Sequence, residues 1–130
     1  MEIQERKHYF VAGGLKIHWG FTLLPEDFDA ITLFGHVFSN MDKDTLGEYL
    51  QTGGGKVLVN HERIHTLQAG SFATRYLAFY VLYLWYWIVG LFKYGAKNNA
   101  SYYQIPFERE AYKNQSNFAY NETSWREYID

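Results

Sequence analysis

Between Arg75 and Lys93 the chain carries no charged residue, and no other stretch limits the available folds so strongly. Such a run sits at the low limit of length for a helix that crosses a bilayer, whose apolar core is about 30 Å thick. Otherwise it must pack inside the protein or lie on a membrane surface. On a helical wheel Tyr76, Tyr80, Tyr83 and Tyr94 share one face, while Leu77, Val81, Leu84, Trp85 and Ile88 share the other. A hydroxyl-bearing face suits protein contacts or an interface better than hydrocarbon.

Composition sets wide bounds on the rest. A chain of 130 residues is long enough for one real core and is expected to form a single domain, 1–130. Its 12 Tyr, 10 Phe and 4 Trp concentrate in residues 76–94 and 102–128. Large rings filling a small core account for them, with a membrane-interface role as the alternative. The formal charge of −2 comes without any Lys/Arg cluster, so no nucleic-acid partner is expected. The absence of cysteine excludes a disulfide framework, a Cys-type zinc knuckle and a thiol nucleophile, and fits a reducing compartment. The charged N-terminus lacks an apolar signal core, so a cytoplasmic location is expected, with peripheral membrane contact through residues 72–94 as a variant. N-x-[ST] triplets at Asn99, Asn114 and Asn121 are then incidental.

The first third reads as β-structure. Tyr9-Phe-Val-Ala and Leu15-Lys-Ile-His-Trp flank Gly13-Gly14, which suits a tight hairpin turn. Ile31 to Phe38 alternates and is expected to add one further strand, with Pro25-Glu-Asp marking the connection before it. A short polar helix is expected from Lys43 to Leu50, stopped by Gly53-Gly54-Gly55. The next helix should run from Lys56 to Ala69, and Gly70-Ser71 should break it. An apolar segment from Phe72 to Tyr94 follows, then a turn at Lys97-Asn98-Asn99. Pro106 opens a last helix, since proline is tolerated at the first helical position.

His61-Glu62-Arg63-Ile64-His65 lies inside the second of those helices. The H-E-x-x-H spacing puts two imidazoles one turn apart on one face. Two such nitrogens can bind one zinc ion, and the intervening Glu can reach a water on it. The sequence has only 5 histidines, two of them in this pentapeptide. Arg63 lies about 200° around the helix from His61 and should point away, toward solvent or a partner. Two histidines hold zinc poorly without a third protein ligand. The extended pattern H-E-x-x-H-x-x-G-x-x-H would need Gly at 68 and His at 71, where this chain has Gln68 and Ser71. A Glu from a separate downstream helix is the other common arrangement, and Phe107-Glu108-Arg109-Glu110-Ala111-Tyr112 supplies one.

At this point the chain resembles the Glu-ligand zinc metallopeptidases, whose second motif has the form E-x-x-A-[D]. It resembles still more closely a family of small uncharacterised bacterial proteins with the paired signatures N-H-E-x-I-H and F-E-R-E-A-Y, here Asn60 to His65 and Phe107 to Tyr112. The resemblance implies His61 and His65 as zinc ligands, Glu62 as general base and Glu108 as third ligand, with Ala111 at the small-residue position. Glu110 is the competing ligand. It lies about 200° from Glu108, so both cannot face the metal. The family pattern often has Asp after the Ala, where it can orient a metal-bound His. Tyr112 stands there instead, and can donate to a developing oxyanion.

The remaining histidines carry blander readings: His8 and His18 as satisfied polar groups, and His36 as core or rim, or else lining the cleft. A membrane crossing between residues 75 and 93 would separate His61 and His65 from Glu108 by about 30 Å of hydrocarbon. The span and the three-ligand site therefore exclude each other. The expected architecture is α+β: a small antiparallel N-terminal sheet followed by a helical core with a two-helix metal site. The expected function is a zinc-dependent hydrolase, a minimal peptidase acting on peptide or protein substrates. The alternatives are an inactive zinc-binding homologue, or a membrane-surface or protein-interaction module built on residues 72–94.

Overall fold

The computed structural model describes residues 2–23 and 30–129. The expected connection at Pro25-Glu26-Asp27 lies outside the described residues. Contacts group the chain into two compact units, Met1–Arg63 and Ile64–Asp130.

In the first unit, five strands precede two helices. The strands are β1 (Gln4–Glu5), β2 (Tyr9–Ala12), β3 (Leu15–His18), β4 (Ala30–Leu33) and β5 (His36–Ser39). Their order is β1-β2-β3-β5-β4, antiparallel throughout except for β3 and β5, which run parallel with Ile17 opposite Val37. The hairpin at Gly13-Gly14 forms as its sequence predicts, with Ala12 opposite Leu15. Ile31 to Phe38 is not one strand but two. Phe34 (φ 54°) and Gly35 (φ 82°) turn the chain between β4 and β5, and Leu33 pairs back onto His36. Apolar residues continue on both sides of this turn, with Leu33 and Phe34 adjacent at it, which is why the segment reads as one strand.

Alternation along the strands puts Phe10, Ala12, Leu15, Ile17 and Val37 on one buried face. Against it pack Leu46 and Leu50 of α1 (Lys43–Gln51) and Val59 of α2 (Gly53–Gly70). Asp42 caps α1 by accepting the Thr45 N–H at 2.8 Å. Gly53-Gly54-Gly55 do not terminate α1 but begin α2. The Thr52 hydroxyl accepts the Gly55 N–H at 3.0 Å while donating to the Tyr49 carbonyl at 2.6 Å. One threonine thus closes one helix and caps the next, outweighing the weak helix propensity of glycine.

From Ile64 onward the second unit is helical: the end of α2, then α3 (Tyr76–Tyr94), α4 (Ala100–Tyr103), α5 (Pro106–Asn114) and a 3-10 turn at Trp125–Tyr128. Gly70 ends α2 as expected. The apolar segment starts its helix at Tyr76 rather than Phe72, because Arg75, at φ 49°, interrupts the helical path just before it; the Thr74 hydroxyl accepts the Ala78 N–H at 3.2 Å. Phe107 is the centre of this core. Its ring lies 4.7 Å from both Phe79 and Trp125, with Tyr83 and Tyr86 at 6.3 Å. Tyr76, Tyr80 and Tyr83 are half-buried as the wheel predicts, whereas Tyr94, at the helix end, is exposed. Gly90 lets α4 approach closely, so that the Ser101 hydroxyl donates to the Trp87 carbonyl at 2.7 Å.

The molecule is therefore α+β, a mostly antiparallel N-terminal sheet followed by helices.

Candidate metal centre

His61 and His65 both stand on α2, which runs unbroken from Gly53 to Gly70. Helix geometry alone therefore sets their spacing, one turn apart. Pro106 starts α5 at its first turn, and this brings Glu108 to His65, with Oε1 3.0 Å from Nε2. Ligand atoms of His61, His65 and Glu108 all lie within 4.8 Å of one another. His61 and Glu108 are buried and His65 is half-buried.

Gln68 fixes a proton on His65 Nδ1. The Gln68 Nε2 donates to the Phe107 carbonyl at 2.9 Å and to Glu110 Oε1 at 2.8 Å, two groups that can only accept. Its Oε1 must therefore be the atom facing His65 Nδ1 at 2.8 Å, so that Nδ1 carries the proton and donates. In the neutral ring Nε2 then presents a lone pair to a carboxylate oxygen. That contact is favourable only with a proton or a cation between the two atoms. The other Glu108 oxygen accepts from the Tyr83 hydroxyl at 2.6 Å. This donor set fits a metal: two nitrogens and one oxygen converge, and one imidazole is held in the ligating tautomer.

Glu110 occupies a cage of its own. Its side chain is fully buried. It accepts from Gln68, from the Tyr120 hydroxyl at 2.6 Å, from the Thr123 hydroxyl at 3.0 Å and from the Ser124 backbone N–H and hydroxyl. Burial by itself would raise this carboxyl, but the bonds from Tyr120, Gln68, Ser124 and Thr123 outweigh it and hold the group below its ordinary value. Burial, together with the bond to Glu110, pushes Tyr120 up to about 12. The two glutamates of α5 thus have separate surroundings, Glu108 at His65 and Glu110 against the C-terminal segment.

Glu62 is half-buried and borders an apolar cavity of about 30 Å³ beneath the sheet, beside Leu46, Leu58 and Val59. Arg63 is half-buried rather than solvent-facing. Its Nε and Nη2 donate to Asn60 Oδ1 at 3.0 and 2.9 Å, and its methylenes lie along Gly13 of the hairpin. The Tyr112 hydroxyl meets that of Tyr102 at 3.1 Å, and its ring packs with Tyr103.

Gln68 and Tyr83 are the residues that sequence reasoning missed. A signal for Gln68 existed, since it lies one turn beyond His65 on the same face. Nothing local marks Tyr83, which is 25 residues from Glu108.

Outside the centre, His8 is exposed. His18 and His36 pair across the parallel strands, Nε2 to Nδ1 at 2.9 Å, with the His18 ring stacked 4.8 Å from Phe38. Burial lowers the His18 imidazole below its ordinary value, and the neighbouring His36 and Lys16 lower it further.

Comparisons with family models, curated proteins and solved structures find no match.

Proposed function

We propose that the chain is a zinc-dependent hydrolase, a minimal peptidase related to the Glu-ligand metallopeptidases that residues 60–65 and 107–112 resemble. The observation that carries this reading is the contact between His65 Nε2 and Glu108 Oε1 at 3.0 Å, with Gln68 holding the Nδ1 proton and His61 alongside. His61, His65 and Glu108 would hold the ion, since two imidazoles and a carboxylate form a usual catalytic zinc set that leaves a position open. Zinc bound there supplies Lewis acidity and lowers the pKa of water toward neutrality.

Glu62, next to His61 on α2, would serve as the general base, accepting a proton from water and giving it to the leaving amine. Tyr83 holds Glu108 through its second oxygen, and Gln68 holds the His65 ring, so neither ligand has to be ordered when substrate arrives. Strand β4 stands at the end of the strand order, where an extended peptide could add alongside it.

The test is metal content followed by turnover. One zinc per chain is expected in the purified protein, lost in His61→Ala and His65→Ala. Glu62→Gln should keep the zinc and lose cleavage of a quenched-fluorescence peptide library. Absence of zinc, or its equal retention by both histidine variants, refutes the metal reading. Zinc without turnover in the wild type leaves a zinc-binding homologue.

A further inference from the structure

Helix α3 presents its second face to the outside. Leu77, Val81, Leu84, Trp85, Ile88 and Phe92 form one stripe within about 100° of arc, with Leu77 67 % and Phe92 89 % exposed. Only 11 % of the most apolar 18-residue stretch of this helix is buried, whereas the core helix of a water-soluble domain would be mostly covered. Such a continuous apolar surface marks an interaction site.

Charge identifies what covers it. The chain has a formal net charge of −2, yet no Asp or Glu occurs between Glu62 and Glu108, an interval that holds Arg63, Arg75, Lys93 and Lys97. Arg75 and the Lys93/Lys97 pair stand exposed at opposite ends of the stripe. Trp87, Tyr94 and Tyr103 are exposed too, rings with polar tips that favour headgroup depth. A second copy laid along the stripe would bring like charges together whichever way it ran. Spanning is disfavoured from within the same unit. The middle of α3 holds α5 through the Phe107 ring against Phe79 and the Tyr83 hydroxyl on Glu108, so crossing would draw two buried carboxylates toward the bilayer centre.

We infer that α3 lies along the surface of an anionic membrane, its Leu77–Phe92 stripe sunk among the acyl chains and its two basic ends on headgroup phosphates. This does not depend on zinc or on turnover.

Flotation of the full chain with vesicles tests it. Binding to phosphatidylcholine containing phosphatidylglycerol should exceed binding to phosphatidylcholine alone by about tenfold, and should weaken with salt. Leu84→Glu and Phe92→Glu change exposed side chains, so both should fold, as circular dichroism would check, and both should lose vesicle binding. Ile31→Glu, also on an exposed side chain but in β4, should bind as the wild type does. The inference is overturned if the wild type stays unbound, or if Leu84→Glu binds equally well. It is also overturned by a dimer in sedimentation that Leu84→Glu dissociates, which would make a second copy the occupant. Resistance of membrane-bound protein to alkaline carbonate would mean that the helix spans.

Discussion

His65 Nε2 and Glu108 Oε1 stand 3.0 Å apart, a contact that is favourable only with a proton or a cation between the two atoms. Only Glu108 of the two buried glutamates on α5 stands in this relation, because Glu110 already accepts from Gln68, Tyr120, Thr123 and Ser124. The two isosteric amides should therefore behave differently. Glu108→Gln should lower zinc affinity at least about 100-fold with little loss of stability, since it removes a charged ligand. Glu110→Gln should keep stoichiometric zinc but lose about 1–3 kcal/mol of stability, because its amide NH2 would face donors. Equilibrium dialysis and urea unfolding separate the two; loss of zinc in Glu110→Gln alone would reverse the ligand assignment.

Tyr83 donates to the Glu108 oxygen that does not face His65, and Gln68 accepts from the His65 nitrogen that does not face Glu108. Tyr83→Phe should lower zinc affinity by about 10–100-fold while the site keeps its one-zinc stoichiometry. Gln68→Ala should do the same and also destabilise the fold by about 1–3 kcal/mol, since the Phe107 carbonyl and Glu110 each lose a donor. Unchanged zinc affinity in both variants would show that neither contact orients a ligand.

The glycines that open α2 offer a test of its corner with α1. A Cβ on Gly55 would stand 2.1 Å from the Tyr49 carbonyl oxygen, a backbone atom that cannot swing aside. Gly55→Ala should cost more than about 3 kcal/mol. At Gly53 a Cβ meets nothing within 4 Å, and Gly53→Ala should stabilise by about 0.4–1 kcal/mol through the unfolded chain. Thermal unfolding of the two variants should move in opposite directions.

His18 gives the sheet a pH dependence. Its pKa in the folded chain lies below the ordinary 6.5, so between the two values the unfolded chain binds more protons than the folded one. Stability is then complete above about 6.5 and falls as pH drops through the folded value. The groups around this ring are His36, Lys16, Tyr9 and Phe38. His18→Asn should flatten the slope of the unfolding midpoint below neutral pH; a variant as acid-sensitive as the wild type would locate the dependence elsewhere.

What could be read from the chain was whatever a short segment settles by itself. H-E-x-x-H on a helix puts two imidazoles one turn apart because 3.6 residues make a turn. Gly13-Gly14 between apolar runs makes a hairpin because its turn needs residues tolerant of positive φ. Pro106 opens α5 for an equally local reason. Local pattern failed where two readings share one pattern. A largely apolar run passes through Phe34-Gly35 without a polar break, and three glycines resemble a stop until the Thr52 hydroxyl is seen to cap Gly55.

Glu108 could be nominated by its motif, but neither its place at His65 nor its separation from Glu110 was local, for those partners are 43 residues apart in the chain. Tertiary structure alone decided that Gln68 fixes one imidazole, that Tyr83 reaches the carboxylate, and that one face of α3 is covered while the other is bare. The physical reason is that periodicity gives a helix its faces, whereas packing decides what each face meets.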